Sequence, residues 1–75
     1  MNKNIQREIL NEFNNSNFRK AYDLAINLDA KEKNEIVLKI LTISSFKIEK
    51  YPNALSHGLD YLKLQDQNKN VQILN

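Results

Sequence analysis

The sequence predicts an all-α protein of two antiparallel helix-turn-helix hairpins and a short C-terminal helix, and two observations support this. The chain has only one glycine and one proline, and its apolar runs are too long for typical strands. Its apolar pattern also recurs after thirty-three residues, a period typical of stacked helical hairpins. The matched pairs are Ile5 and Leu38, Leu10 and Ile43, Phe13 and Phe46, Phe18 and Tyr51, and Ala21 and Ala54.

The first hairpin is predicted over about residues 3–29, with helices at about 3–14 and 18–28. In the first of these helices, apolar residues recur about every four positions and therefore share one face. An asparagine-rich turn at 14–17 separates the two helices. Asparagine tolerates the left-handed backbone that closes a helix, and Asn or Ser can cap the helix that follows.

The second hairpin is predicted over about residues 33–65. Its first helix, at about 33–49, is apolar around much of its circumference, so it should be covered on more than one side. Pro52 lacks an amide hydrogen and suits a first helical turn, so it marks the start of the fourth helix. The polar run at 65–68 is expected to end that helix, and a truncated fifth helix is predicted over 69–75.

The repeat also predicts which residues form the core. Gly58 lies in the middle of the fourth helix, where glycine costs about 1 kcal/mol relative to alanine. Its counterpart is the small Ala25, so both are expected at close helix crossings. The positions predicted to be buried are Phe18, Ala21, Leu38, Leu41, Tyr51 and Ala54.

Length and composition narrow the possible functions. Seventy-five residues make a single domain over 1–75, and a domain this small is marginally stable without help. With no cysteine and one histidine, neither a disulfide nor a metal site is expected, and no cofactor is indicated. No apolar run approaches the roughly 20 residues that span a bilayer, and the amino end lacks a signal-peptide core. We therefore expect a soluble, cytoplasmic protein with no membrane partner.

The charge distribution argues against nucleic acid as the partner. The formal net charge is +2, but basic and acidic residues are interspersed, with four of each in residues 1–30 and seven against five in residues 31–75. Tracking phosphates requires Lys and Arg on one stripe, and only two arginines are present. A small basic helical regulator that acts on DNA as a dimer remains the alternative function.

No residue pattern indicates an enzyme. Ser56 and His57 are neighbours, but adjacent helical residues point about 100° apart, and no acid is placed to orient the ring. Glu8 and Glu12 share a helix face, yet without a second pair from another helix they are expected to be solvated. One glycine cannot form a phosphate-binding loop, so no small-molecule substrate is expected.

The chain resembles a tetratricopeptide repeat over nearly its whole length, as two repeats and the first turns of a third helix pair. The residues that carry the resemblance are Leu38, Leu41, Tyr51, Ala54 and the closing segment 64–68, with Ile5, Phe18 and Ala21 repeating part of it upstream. The sequence departs from the family at the glycine of the first helix, where Ile9 and Thr42 stand, and in lacking the terminal proline. These departures leave open another helical-hairpin solenoid or a four-helix bundle.

The resemblance implies a concave groove, lined by the first helix of each repeat, that holds a peptide or a helix of another protein. The groove positions carried over are Gln6, Leu10, Phe13, Lys39, Ile43, Phe46 and Lys47. Their apolar character favours an amphipathic helix over a carboxylate-terminated peptide. The implied function is that of an adaptor or chaperone, with the small chaperones of bacterial type III secretion as an analogue.

Two further hypotheses concern the end of the chain. Val71, Ile73 and Leu74 are apolar, and no following helix is present to cover them. We expect them to dock onto a second molecule, either another copy of the chain or a different protein. The remaining alternative is that the chain is the N-terminal fragment of a longer helical-repeat protein.

Overall fold

The computed structural model describes the backbone of residues 2–74 and the side chains of residues 4–67. Within these residues the regular secondary structure is entirely helical and has no strand, which confirms the predicted all-α class. The helices are α1 (Asn2–Asn14), α2 (Phe18–Ile26), α3 (Glu35–Lys47) and α4 (Tyr51–Leu74), with a short 3₁₀ turn at Ala30–Glu32.

The helices form two stacked hairpins, as the repeat predicts. Each helix packs against the next along the chain, and α1 also touches α3. The second hairpin is antiparallel, because Gln65 Nε2 lies 3.4 Å from Glu35 Oε2 at one end, and the Phe46 and Tyr51 rings meet at the other. Because α3 packs against α1, α2 and α4, it lies in the middle of the stack.

The thirty-three-residue period is also a repeat of backbone geometry. α1 and α3 both end through a residue in the left-handed region, Ser16 with φ 65° and Glu49 with φ 66°. In both turns, the amide after this residue donates a 2.8 Å hydrogen bond to the carbonyl five residues back, which is the Schellman arrangement of a helix C-terminus. Neither residue is glycine, so each turn carries a backbone conformation that costs about 1–2 kcal/mol.

Side-chain packing repeats at the same period. The Phe13 and Phe18 rings meet edge to face across the first turn, with centroids 5.7 Å apart. Phe46 and Tyr51 do the same across the second turn, at 5.6 Å. The two hairpins therefore share a fold in detail, and their differences reflect what covers each of them.

The core lies between α3 and the first hairpin. Four of its buried residues come from the first hairpin and four from α3: Ile9, Ala21, Tyr22, Ala25, Val37, Leu38, Ile40 and Leu41. Ser44 and Ser45 are also fully buried on α3, and the Ser45 hydroxyl donates to the Leu41 carbonyl at 2.6 Å. α3 is therefore covered on more than one side, as its composition predicts.

Two of the six predicted core positions differ from expectation. Ala21, Leu38, Leu41 and Ala54 are buried. Phe18 is only half-buried, and Tyr51 is 54% exposed, so the prediction for Tyr51 is wrong. Its ring covers Phe46 at the outside of the stack, and no described helix lies over it.

The helix boundaries differ most at the C-terminal end. No break occurs at 65–68 and no separate helix begins at 69, because α4 continues over 24 residues from Tyr51 to Leu74. Residues 65–74 contain no glycine or proline, and Gln and Lys favour helix, so nothing interrupts α4 there. The side chains of Val71, Ile73 and Leu74 lie outside the described residues.

The third helix is shorter than predicted. It begins at Glu35 because the Asn34 side chain caps it, accepting a 3.0 Å hydrogen bond from the Val37 amide. It ends at Lys47, just before the left-handed Glu49.

Candidate docking face

A row of large apolar side chains is exposed on the outer side of α4. Leu55, Leu59 and Leu62 follow one another at spacings of four and three residues, so they share one helix face. Tyr51 lies one turn earlier on that face, and Phe46 of α3 contacts its ring. Each of these side chains is more than half exposed, and we call the five together the open face. Apolar patches of this kind on a small protein usually mark a binding site.

The open face is separate from the surface through which α4 packs on its own hairpin. On the inner side Ala54 is buried, and Tyr61 and Leu64 pack against the core. Gly58 lies close enough to Thr42 of α3 that an added Cβ would sit 3.5 Å from its methyl carbon. α4 therefore carries two apolar surfaces, and only the inner one has a partner in the described part of the chain.

The first hairpin shows what covers such a face. The counterparts of the open face, thirty-three residues earlier, are Phe13, Phe18, Tyr22, Ile26 and Asp29. Tyr22 is 5% exposed, whereas its counterpart Leu55 is 67% exposed. Phe13, Phe18 and Ile26 are half-buried, and Asp29, the counterpart of Leu62, is exposed. The two surfaces therefore have similar apolar residues apart from Asp29, and their burial differs most at Tyr22 and Leu55.

The second hairpin covers Tyr22 and Phe18 of the first hairpin. Asn53 Nδ2 of α4 donates a 3.0 Å hydrogen bond to the Tyr22 hydroxyl, and His57 Nε2 lies 3.4 Å from the same oxygen. Lys47 Nζ of α3 lies 5.7 Å from the centre of the Phe18 ring, within the range of a cation–π contact. The open face is therefore a surface of the same kind, but no described hairpin lies on it.

The opposite end of the stack is polar. On α3, the residues that meet the first hairpin include Val37 and Ile40, which line a cleft with Gln6 and Leu10 of α1. The same positions on α1, thirty-three residues earlier, are Asn4 and Arg7, and both are exposed. Glu8 and Asn11, the counterparts of Leu41 and Ser44, are exposed as well. A polar outer face is what a terminal repeat needs, so α1 caps its end of the stack.

The seven residues of the predicted groove do not gather in one place. Gln6 and Leu10 lie at the α1–α3 cleft, whose volume of about 50 Å³ is far too small for a helix. Lys39 lies in a neighbouring hollow of about 480 Å³, beside Tyr61, and this hollow shares Asn34 with the cleft. Phe13 and Ile43 are half-buried, Phe46 belongs to the open face, and Lys47 lies over the Phe18 ring.

Sequence reasoning missed four of the five residues of the open face. Tyr51 was predicted in the core, and Leu55, Leu59 and Leu62 were assigned to neither the core nor the groove. The signal that finds them is the repeat itself. A position whose counterpart is covered by the other hairpin is exposed where no described helix covers it.

Charges of both signs border the open face. Lys50 and Lys63 are exposed near it, and so are Glu49 and Asp66. Such a mixture does not form the continuous basic stripe that phosphate recognition needs.

Among the described residues, His57 and Glu12 have shifted pKa values, and both help hold the helices in place. Burial lowers the pKa of His57, and the positive charge of Lys33 lowers it further, while Asp60 acts in the opposite direction. A hydrogen bond from Asn17, 2.8 Å from the carboxylate, lowers the pKa of Glu12, and Lys20 lies 3.5 Å away. Glu12 therefore braces the first turn and is not free to pair with Glu8.

The described residues contain no cluster of three or more His, Cys, Asp or Glu side chains that could hold a metal ion. None of their helices combines the length and apolar character required to cross a membrane.

No protein-family model matches this chain, and no curated protein or solved structure is similar to it. The resemblance to tetratricopeptide repeats therefore stays a prediction made from the residues. The two hairpins, however, can be compared with each other position by position, at a spacing of thirty-three residues.

Proposed function

We propose that this chain is a protein–protein interaction module that binds an amphipathic helix of another protein on its open face. One observation carries the proposal: the surface that the first hairpin uses to hold the second recurs on the second hairpin and is uncovered there. A surface that already packs a helix in one repeat suits a helix in the other. An adaptor, or a chaperone that shields an apolar helix, would need such a surface.

The size of the face fits a reversible interaction. Five large apolar side chains, each about half exposed, would contribute roughly 5 kcal/mol on burial, and the partner helix a similar amount. Association itself costs at least about 4 kcal/mol. Because this cost is a minimum, the balance corresponds to a dissociation constant no tighter than roughly tens of micromolar.

This proposal differs from the sequence-based one in where the partner sits. The predicted concave groove between α1 and α3 is nearly closed at the cleft beside Gln6 and Leu10. Phe46 is the residue that the two sites share. Ile43 and Lys39 would contribute only if the partner extends across the edge of α3.

Selection from a displayed library of helical peptides, with the folded chain as bait, tests the proposal. We expect enriched peptides to carry apolar residues at helical spacing and to lose binding to the variant Leu59→Asp. The matched control is Arg7→Asp, an exposed change on the polar face of α1 that should leave binding intact. Circular dichroism confirms that both variants remain helical.

Two results would contradict the proposal. One is the absence of any enriched peptide. The other is binding that Leu59→Asp leaves unchanged. A sedimentation coefficient that rises with concentration and is restored to the monomer value by Leu59→Asp would instead make a second copy of the chain the occupant of the open face.

A further inference from the structure

The contact between α4 and the first hairpin contains a small polar cluster. Asn53 and His57 of α4 are four residues apart, so they share one helix face, and both lie against the hydroxyl of Tyr22 on α2. We propose that these three side chains form an acid-sensitive latch, which holds the first half of α4 on α2 and opens when His57 is protonated. This device goes beyond the proposed function, because it does not depend on what occupies the open face.

The order of donors and acceptors in the latch follows from its chemistry. Asn53 Nδ2 can only donate, so the Tyr22 oxygen accepts its 3.0 Å hydrogen bond. Tyr22 is 5% exposed, so its own hydroxyl hydrogen needs an acceptor within the protein, and His57 Nε2 lies 3.4 Å from the oxygen. The Tyr22 and His57 rings also meet edge to face, with centroids 5.8 Å apart. His57 is therefore neutral in the closed latch, with its proton on Nδ1.

Protonation of His57 removes the acceptor on which this order depends. Nε2 then carries a hydrogen, so two donors point at the Tyr22 oxygen and the buried hydroxyl hydrogen loses its partner. Burial lowers the pKa of His57, and the positive charge of Lys33, in the connection before α3, lowers it further. Asp60, one turn along α4, acts in the opposite direction, and among the described residues no charged group of α3 contributes. The open state binds the proton more readily, so a falling pH favours opening.

The internal repeat shows that the fold does not require a polar cluster here. The counterparts of Asn53 and His57, thirty-three residues earlier, are Lys20 and Leu24. Leu24 packs against the core, so an apolar side chain suits this place in a hairpin. At 57 the chain instead has its one histidine, the residue type whose charge changes nearest neutral pH. Because α3 packs on α1, α2 and α4, the two hairpins stay joined when the latch opens.

NMR of the full chain during acidification tests the latch, with ring-labelled tyrosines and a neutral gadolinium chelate in the solvent. At neutral pH, the ring nitrogen shifts of His57 should show the Nδ1–H tautomer. As the pH falls past the ordinary histidine value near 6.5, relaxation of the Tyr22 ring by the chelate should rise toward that of the exposed Tyr51 ring. Its midpoint should equal that of the His57 titration. The Tyr61 ring, which accepts from Gln65 outside the latch, is the internal control and should not change.

Two conservative variants isolate the hydrogen bond between α2 and α4. His57→Gln keeps a neutral acceptor at every pH, so the exposure of the Tyr22 ring should no longer depend on pH. Tyr22→Phe keeps the ring and removes the hydroxyl that donates to the neutral imidazole, so the midpoint of His57 should move up toward the ordinary value. Circular dichroism of the parent chain should stay constant over the same pH range, because the opening is local.

Four results would overturn the inference. They are an Nε2–H tautomer at neutral pH, a Tyr22 ring that stays protected while His57 titrates, and a His57 midpoint that Tyr22→Phe leaves unchanged. The fourth is a loss of helicity in step with the exposure of Tyr22, since acid would then unfold the whole chain and not open a latch.

Discussion

Tyr22 and Leu55 occupy the same position in two hairpins of the same geometry, yet Tyr22 is buried and Leu55 is mostly exposed. The local structure around them is alike, because the helix ends and aromatic pairs match at thirty-three residues. The difference is that the second hairpin covers Tyr22 of the first, whereas no described helix covers the outer side of α4, where Leu55 lies. In a stacked-repeat protein, burial is therefore set by the neighbouring repeat more than by the residue's own helix.

The largest expected effect tests this comparison directly. Tyr22→Ala should lower the free energy of unfolding by about 3–5 kcal/mol, since it leaves a cavity and removes the hydroxyl that Asn53 bonds. Leu55→Ala, at the equivalent position, should change it by no more than about 0.5 kcal/mol. Urea unfolding followed by circular dichroism measures both. Equal losses at the two positions would mean that Leu55 is covered.

The next effect concerns the small residues at the matched positions 25 and 58. Gly58→Ala should raise the free energy of unfolding by up to about 1 kcal/mol, because the new methyl would meet Thr42 at ordinary contact distance and alanine favours helix. Ala25→Gly should lower it by a similar amount. Thermal unfolding of the pair checks this, and a destabilised Gly58→Ala would show that α3 and α4 cross more closely than described.

A smaller effect is expected at the two left-handed turns. Ser16→Gly and Glu49→Gly each relieve a positive φ, so each should raise the free energy of unfolding by about 0.5–1 kcal/mol. The gains should be similar, since the two turns have the same geometry. Parallel denaturant titrations provide the measurement, and a gain at only one site would show that the turns are not equivalent in solution.

The smallest effect is a pH dependence at the contact between the hairpins. The pKa of His57 is lowered in the folded chain, so the unfolded chain takes up its proton first as the pH falls. Stability should therefore decrease as the pH falls from about 7 through the ordinary histidine value near 6.5, until His57 is also protonated in the folded chain. His57→Leu, which copies the counterpart Leu24, should remove this slope. A slope that persists in the variant would assign it to other groups.

The sequence was sufficient for the fold because the fold depends on a repeated pattern. The period predicted both hairpins, and the burial of Ala21 and Ala54, which are a matched pair, followed from it. It failed where burial depends on a neighbour, as at Tyr51, which has the residue type of a core position but nothing described to cover it. It also failed at 65–68, where polar residues suggested a break that helix propensity does not require.

The candidate site was harder to predict for the same reason. The family resemblance pointed to the α1–α3 surface, and only Phe46 of that set lies on the open face. The leucines of α4 belong to two apolar surfaces, and a single helix pattern does not say which of these is covered. Comparing each residue with its counterpart in the other hairpin separates the two surfaces.

A titration of the leucine and isoleucine methyl groups by NMR, with a helical peptide selected on this chain, tests the central claim most directly. We predict that the methyl signals of Leu55, Leu59 and Leu62 shift together and saturate at one dissociation constant. Those of Leu10 and Ile36, at the α1–α3 cleft, should stay in place. Shifts confined to Leu10 and Ile36 would contradict the account and place the partner in the groove between the first helices of the two hairpins.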